Sequence, residues 1–190
     1  MATVHTLFLG VLFMAVCHDM DTFHHPLTQQ GSQTRLTAEE TRSKIVSFAQ
    51  QEIGIRESTG RNDGKRVEEY LRYTGLGKGY AWCAAFVSFC FGKVGLNEPR
   101  NPWSPALFPS RRTYCKGGDC RHPSTATVIR PADVFGIYGQ QDRRINHVGL
   151  VKERQGNYLL TIEGNSNNRV ESKRRHLTTI YALANWVPEN

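Results

Sequence analysis

The residues best suited to chemistry in this 190-residue chain are a cysteine and a histidine. Cys83 stands where a glycine-rich stretch (Gly75, Gly77, Gly79) gives way to the run Trp82-Cys83-Ala84-Ala85-Phe86-Val87-Ser88-Phe89-Cys90-Phe91. A run that is apolar nearly all round predicts a buried helix, and Cys83 falls in its first turn. There the backbone N–H groups lack partners and the positive end of the helix dipole favours a thiolate. A nucleophile of this kind needs a base, and the base needs a group to orient it. His147, in the β-prone stretch Asn146-His147-Val148-Gly149-Leu150-Val151, is the best-placed imidazole.

The next β-prone stretch, Tyr158-Leu159-Leu160-Thr161-Ile162-Glu163, follows a Gly-Asn turn signal, so the two read as a hairpin. A three-residue loop centred on Gln155 puts His147 directly opposite Glu163, with Cβ atoms about 4.5–5.5 Å apart. A two-residue loop turns Glu163 to the other face. Glu163 is the only acid in an otherwise apolar or neutral strand, a costly placement unless the carboxylate is paired. Asn165, two residues on, shares its face by strand alternation. The chemistry this predicts is attack of the Cys83 thiolate on a carbonyl carbon, with His147 taking and returning the proton. Glu163 fixes the imidazole tautomer, Asn165 supports that orientation, and N–H groups at the helix start receive the oxyanion. The intermediate is a thioester.

The elements that must hold these residues are helices first and strands afterwards. Thr37 is an N-cap followed by Glu39 and Glu40, and Ile45, Phe48, Ala49 and Ile53 recur at helical spacing up to Gly54. A shorter helical piece covers 66–71, residues 97–131 read as irregular, and strands cover 133–138, 146–151, 158–163 and a last stretch near 179–187. Helices packed on an antiparallel β-meander make the expected class α+β, with one domain over 37–190. Ahead of it, 18–36 reads as a flexible polar linker and 1–17 as a leader. Met1 to Val16 carries no Lys, Arg, Asp or Glu, and Leu7 to Val16 has the length of a signal-peptide apolar core, which predicts export. Cys17 closes that run as in bacterial lipoproteins, so a lipid tether to a membrane is an open reading.

Composition narrows the classes. With 39% hydrophobic and 22% charged residues the chain is unlike disordered, collagen-like or coiled-coil sequences. Its longest apolar run is well short of the roughly 18 residues a spanning helix needs. A net charge of +7 favours an anionic partner without choosing one. A basic nucleic-acid-binding module is therefore a competing reading, although no helix-turn-helix or interleaved aromatic-basic strand supports it. Of the five cysteines, Cys83 and Cys90 lie seven residues apart on one helix, about 10.5 Å, too far for a disulfide. Cys115 and Cys120 flank Lys-Gly-Gly-Asp and are spaced to close a small disulfide loop or to remain free. No ligand set with metal-site spacing is present, so neither a metal nor a cofactor is expected.

Taken in order, Gly79-Tyr80-Ala81-Trp82-Cys83-Ala84-Ala85-Phe86-Val87-Ser88, Pro131-Ala132-Asp133-Val134, Asn146-His147-Val148-Gly149-Leu150-Val151 and Ile162-Glu163-Gly164-Asn165 resemble the core of CHAP domains, the cysteine- and histidine-dependent amidohydrolases/peptidases. The resemblance spans about 44–186. It implies a small papain-like fold and peptidoglycan as substrate, cut either as an N-acetylmuramoyl-L-alanine amidase or as a stem or cross-bridge endopeptidase. It implies Cys83 as nucleophile, His147 as base, and Glu163 and Asn165 as orienting groups, in an exported, periplasmic or cell-envelope protein acting as a monomer. Some CHAP proteins hold calcium ahead of the cysteine; here Glu57, Asn62 and Asp63 are too sparse to predict it. A papain-like protease or acyltransferase acting on proteins is the nearest enzymatic alternative. Trp103 and Tyr114 are candidates for a cleft wall. Two basic groups, Arg169, Lys173, Arg174 and Arg175, and Arg111, Arg112, Arg143 and Arg144, read as solvated faces or as attraction to anionic wall polymer.

Overall fold

In the computed structural model the described residues are 1–2, 36–117, 120–121 and 128–189. The chain divides into the units Met1–Thr34 and Arg35–Asn190, and every described helix and strand belongs to the second. The predicted leader and linker, Cys17 included, lie almost wholly outside the described residues.

Helix α1 (Ala38–Gln51) begins as its sequence dictates. Thr37 Oγ1 accepts from the Glu40 N–H at 3.2 Å, and the Glu40 carboxylate accepts from the Thr37 N–H at 2.8 Å, a reciprocal capping box. Helix α2 (Lys65–Tyr73) places Tyr70 against Trp82, Phe86 and Phe89, with ring centroids 5.1–5.6 Å apart. Helix α3 (Cys83–Lys93) is buried from Cys83 through Phe91, as an all-apolar run requires.

After a short 3-10 helix at Ser104–Leu107 come β1 (Thr113–Lys116), β2 (Val134–Gly139), β3 (Arg144–Gln155), β4 (Tyr158–Ser166), β5 (Arg169–His176) and β6 (Ala182–Ala184). They form one antiparallel sheet in the order β1-β6-β2-β3-β4-β5. The architecture is α+β, helices first and antiparallel sheet after. Two strands correct the sequence reading. β1 lies inside the stretch read as irregular, and β5 is the charged run read as a basic patch. Both are sheet edges, where charged side chains discourage pairing with another chain.

Strand alternation divides the interior. Val134, Val148, Leu150 and Ile162 pack with the helices, while Phe135, Val151 and Leu159 join Cys120, Ile129, Leu177, Ile180 and Leu183 in a second cluster. Cys115 and Cys120 form a disulfide with Cα atoms 5.8 Å apart; Cys83 and Cys90 are free thiols. The sheet meets α3 at Gly164, where a Cβ would fall 2.6 Å from Phe86 Cβ. Gly164→Ala is therefore expected to force α3 off the sheet at a cost of about 1–3 kcal/mol. A lowered urea midpoint with unchanged slope would show it.

Candidate active site

The hairpin that carries His147 and Glu163 reaches its register by a route the sequence did not suggest. Gln155 pairs with Tyr158, so the loop is the two residues Gly156 and Asn157, with Gly156 in the left-handed region (φ 58°). Continued unbroken, that register would set Glu163 opposite Leu150, on the face away from His147. A bulge between Val151 and Glu153 shifts the pairing by one residue, to Val151 with Thr161 and Leu150 with Ile162. Beyond it Glu163 faces Gly149, on the same side as His147 and diagonal to it rather than directly opposite. Gly149 has no side chain to spare: a Cβ there would lie 2.7 Å from Phe135 Cε1 and 3.0 Å from Glu163 Cγ.

The outcome is a hydrogen bond of 2.8 Å between His147 Nε2 and Glu163 Oε2. The Glu163 side chain is completely buried and is held on all sides. Thr161 Oγ1 donates to Oε1 at 2.6 Å; Arg175 donates Nε to Oε1 at 2.9 Å and Nη2 to Oε2 at 2.6 Å. Burial raises the carboxyl pKa, but Arg175 first, then His147 and Thr161, outweigh it and bring it down to about 2.

Cys83 is the first residue of α3 and is 4% exposed. Its Sγ lies 3.4 Å from the hydroxyl of Ser104 at the start of the 3-10 helix. With Nε2 engaged by Glu163, the other ring nitrogen of His147 is left for the thiol. The two side chains act on each other directly. Burial raises the thiol pKa, and His147, then Ser104 and the Val148 N–H, reverse the sign and leave it below the ordinary value. Burial likewise lowers the imidazole, and Cys83 and Glu163 overcome it, raising His147 to about 9. Cys90, by contrast, is pushed well above the ordinary thiol value by burial and has no such partner.

Trp82 anchors the residue before the thiol: its Nε1 donates to Glu57 Oε1 at 2.9 Å, and Glu57 Oε2 accepts from the Asn62 N–H at 2.8 Å. Both oxygens of Glu57 are thus engaged within the protein. Asn165 does not enter the network, because the strand alternation that would put it on the Glu163 face breaks after Glu163. It adopts φ 55° inside the bulge between Glu163 and Ser166, and among the described residues its side chain has no hydrogen-bond partner. Tyr114 is turned inward, donating to Asp133 Oδ2 at 2.7 Å, and does not form a cleft wall. Trp103, beside Ser104, and Tyr80, three residues before Cys83, are by contrast more than half exposed.

Sequence reasoning missed Ser104, Thr161 and Arg175. Nothing in the sequence places Ser104 near Cys83. Arg175 had a signal, a cation on a strand adjacent to the single acid of β4, but it was hidden by the neighbouring Lys173 and Arg174.

No family model and no curated protein matches the chain. Among solved structures it is similar to the peptidoglycan hydrolase RipB of Mycobacterium tuberculosis. The TM-score is 0.50 at 15% identity, over 80% of this chain and 67% of that one. A variant of the Resuscitation Promoting Factor Interacting protein RipA gives 0.49 at 14% identity, over 80% and 64%. NlpC1 of Trichomonas vaginalis gives 0.44 at 12%, over 78% and 44%. The fold, helices first and an antiparallel sheet after, is the α+β, papain-like arrangement that RipB also displays.

Proposed function

We propose that this chain is a peptidoglycan hydrolase that cleaves an amide bond through a Cys83–His147–Glu163 site, as a papain-like enzyme of the CHAP or NlpC/P60 type. The observation that carries this reading is the His147–Glu163 hydrogen bond of 2.8 Å, which holds the imidazole beside a thiol of lowered pKa at the head of a buried helix. The likeness to RipB supports the fold, and the ordered Trp-Cys-Ala, His-Val-Gly and Glu-Gly-Asn series supports the substrate class. In the proposed reaction the Cys83 thiolate adds to the scissile carbonyl while His147 carries the thiol proton. The unpaired N–H groups of the first turn of α3 face the oxyanion. Collapse of the adduct expels the amine, which takes the proton from His147. Water, activated by the neutral imidazole, then hydrolyses the thioester and regenerates the thiol. Asn165, two residues from Glu163 in the chain, belongs to the proposal only as a further polar group. Residues 1–17 as a leader, export, and action as a monomer belong to the same proposal.

Incubation of purified sacculi with the protein, and mass spectrometry of the fragments, tests it. New termini at N-acetylmuramic acid would define an amidase, and new termini within the peptide an endopeptidase. Cleavage of casein but not of sacculi would replace the reading by a protein-directed protease.

The imidazolium–thiolate state also sets a pH window. His147 is raised to about 9, so the proton that neutralises the site is lost as pH rises through that value. The activity is expected to fall along an alkaline limb near pH 9, whereas the stability contributed by the charged His147 is complete below the ordinary imidazole value of 6.5, declines above it and is gone once pH has risen through about 9. Initial rates of fragment release between pH 5 and 10 check the limb.

A further inference from the structure

An orienting group in a Cys–His site has only to accept from the imidazole, and a neutral amide does this in some enzymes. Here the orienting group is a charge with no exposed surface, which water cannot stabilise. The residue paired directly opposite Glu163 makes matters worse, for it is Glu171. Like charges at such a position repel. Compensation comes from further along β5, where Arg175 sits in register with Leu159 and sends its guanidinium back along the strand to grip both Glu163 oxygens, at 2.9 and 2.6 Å. The grip shares Oε2 with His147 Nε2, so the cation withdraws electron density from the very oxygen that accepts from the imidazole.

We propose that Arg175 is a positioning residue of the site, keeping Glu163 ionised and turned to His147 so that the proton released by Cys83 stays on the imidazole. The inference rests on the Cys83–His147 reading above. The proton moves from Sγ to the ring nitrogen facing it; Glu163 keeps its negative charge and Arg175 its positive one, so the chain Cys83–His147–Glu163–Arg175 alternates in sign. The charged and titratable groups facing this chain are Cys83 from α3, His147 from β3, and Glu171, Lys173 and Arg175 from β5. Glu171 is itself held by Ser166, Asn167, Arg169 and Lys173. Without the guanidinium, the buried carboxyl takes a proton at a higher pH, and the thiolate that depends on the imidazolium is lost with it.

The test does not require the substrate. Iodoacetamide alkylation of Cys83, quantified on its peptide by mass spectrometry between pH 4 and 9, reports the thiolate directly. The unmutated chain, Arg175→Met and Arg175→Lys are compared, with circular dichroism to confirm folding. Arg175→Met is expected to move the acid limb of reactivity upward by at least a unit, an alkylation rate about tenfold lower near pH 5, and to converge on the unmutated protein above pH 7. Arg175→Lys restores part of the shift. Should Arg175→Met not fold, Arg175→Gln takes its place, and a profile of the folded neutral variant that superimposes on the unmutated one overturns the proposal. An ordinary thiol profile in the unmutated protein overturns both this inference and the Cys–His reading. A shifted limb without digestion of sacculi supports the inference and sinks only the substrate.

Discussion

Replacing Cys83 by alanine is expected to abolish fragment release from sacculi while leaving the fold intact. No other described thiol can stand in for it, since Cys90 is sealed within α3 and Cys115 and Cys120 are joined to each other. Losing the nucleophile of a covalent mechanism typically costs about 10⁴-fold or more in turnover, because oxyanion contacts and binding alone remain. The structural cost is small by comparison: one sulfur atom near Ser104 and His147 is removed, and alanine suits the first turn of a helix. A second signature accompanies the loss. The thiol partner is one of the two groups that raise His147, so its removal is expected to lower the imidazole pKa from about 9, which NMR titration of the ring would record. Fragment release undiminished in Cys83→Ala would remove the thiol from the mechanism.

The second large effect is expected at Glu163. Glu163→Gln keeps the shape of the side chain but not its chemistry, because four donor bonds converge on two oxygens and glutamine offers only one. If the amide nitrogen takes the Oε1 position it meets Arg175 Nε, which cannot accept. If it takes the Oε2 position it meets Arg175 Nη2, and His147 must turn its lone pair to it and move its proton to the ring nitrogen that should serve the thiol. Either way the guanidinium loses its anion. Breaking a buried pair on one side costs about 3–5 kcal/mol, and the wrong imidazole tautomer is expected to reduce turnover by about 10²- to 10⁴-fold. The sign of the pH dependence follows from the lowered carboxyl pKa. The native advantage over Glu163→Gln is complete above the ordinary glutamate value and disappears as pH falls toward about 2. Urea titrations at pH 7 and pH 3 should therefore differ in the size of the gap, and an equal gap at both would contradict an ionised Glu163.

What was legible in the sequence was whatever rests on local periodicity or on a lone costly residue. The capping box at Thr37, the apolar run of α3 and the isolated acid of β4 each announce themselves within a few positions. Cys83, His147 and Glu163 were found that way, and the structure brings them together. The class of the fold followed from the order of elements. What stayed hidden depends on partners far along the chain. β5 has charges on both faces because it is an edge strand, so it lacks the alternation that marks β4. Arg42 shares the inner face of α1 with Ile45 and Ala49, but the partners that let a cation lie there, Asp133 at 2.9 Å and Asn185 at 2.8 Å, are far along the chain. Arg175 belongs to the same kind: its role exists only once β4 and β5 are paired. The hairpin shows a right facing reached for the wrong reason, because loop length alone would have turned Glu163 away.

That hairpin has a consequence for how such chains tolerate change. The bulge at Lys152 absorbs one residue between the turn and the site: it contributes no chemistry, yet an unbulged strand of the same length would bring the acid out on the other side of the sheet. A chain that lost Lys152 itself would pair Val151 with Thr161 and Gly149 with Glu163 in a regular ladder and keep its site, whereas one that kept the residue but straightened the strand would hold the same cysteine, histidine, glutamate and arginine and be unable to assemble them. Between the turn and Gly149, residue count and bulge are therefore constrained together, and a count of motif residues alone cannot tell a competent chain from a frame-slipped one.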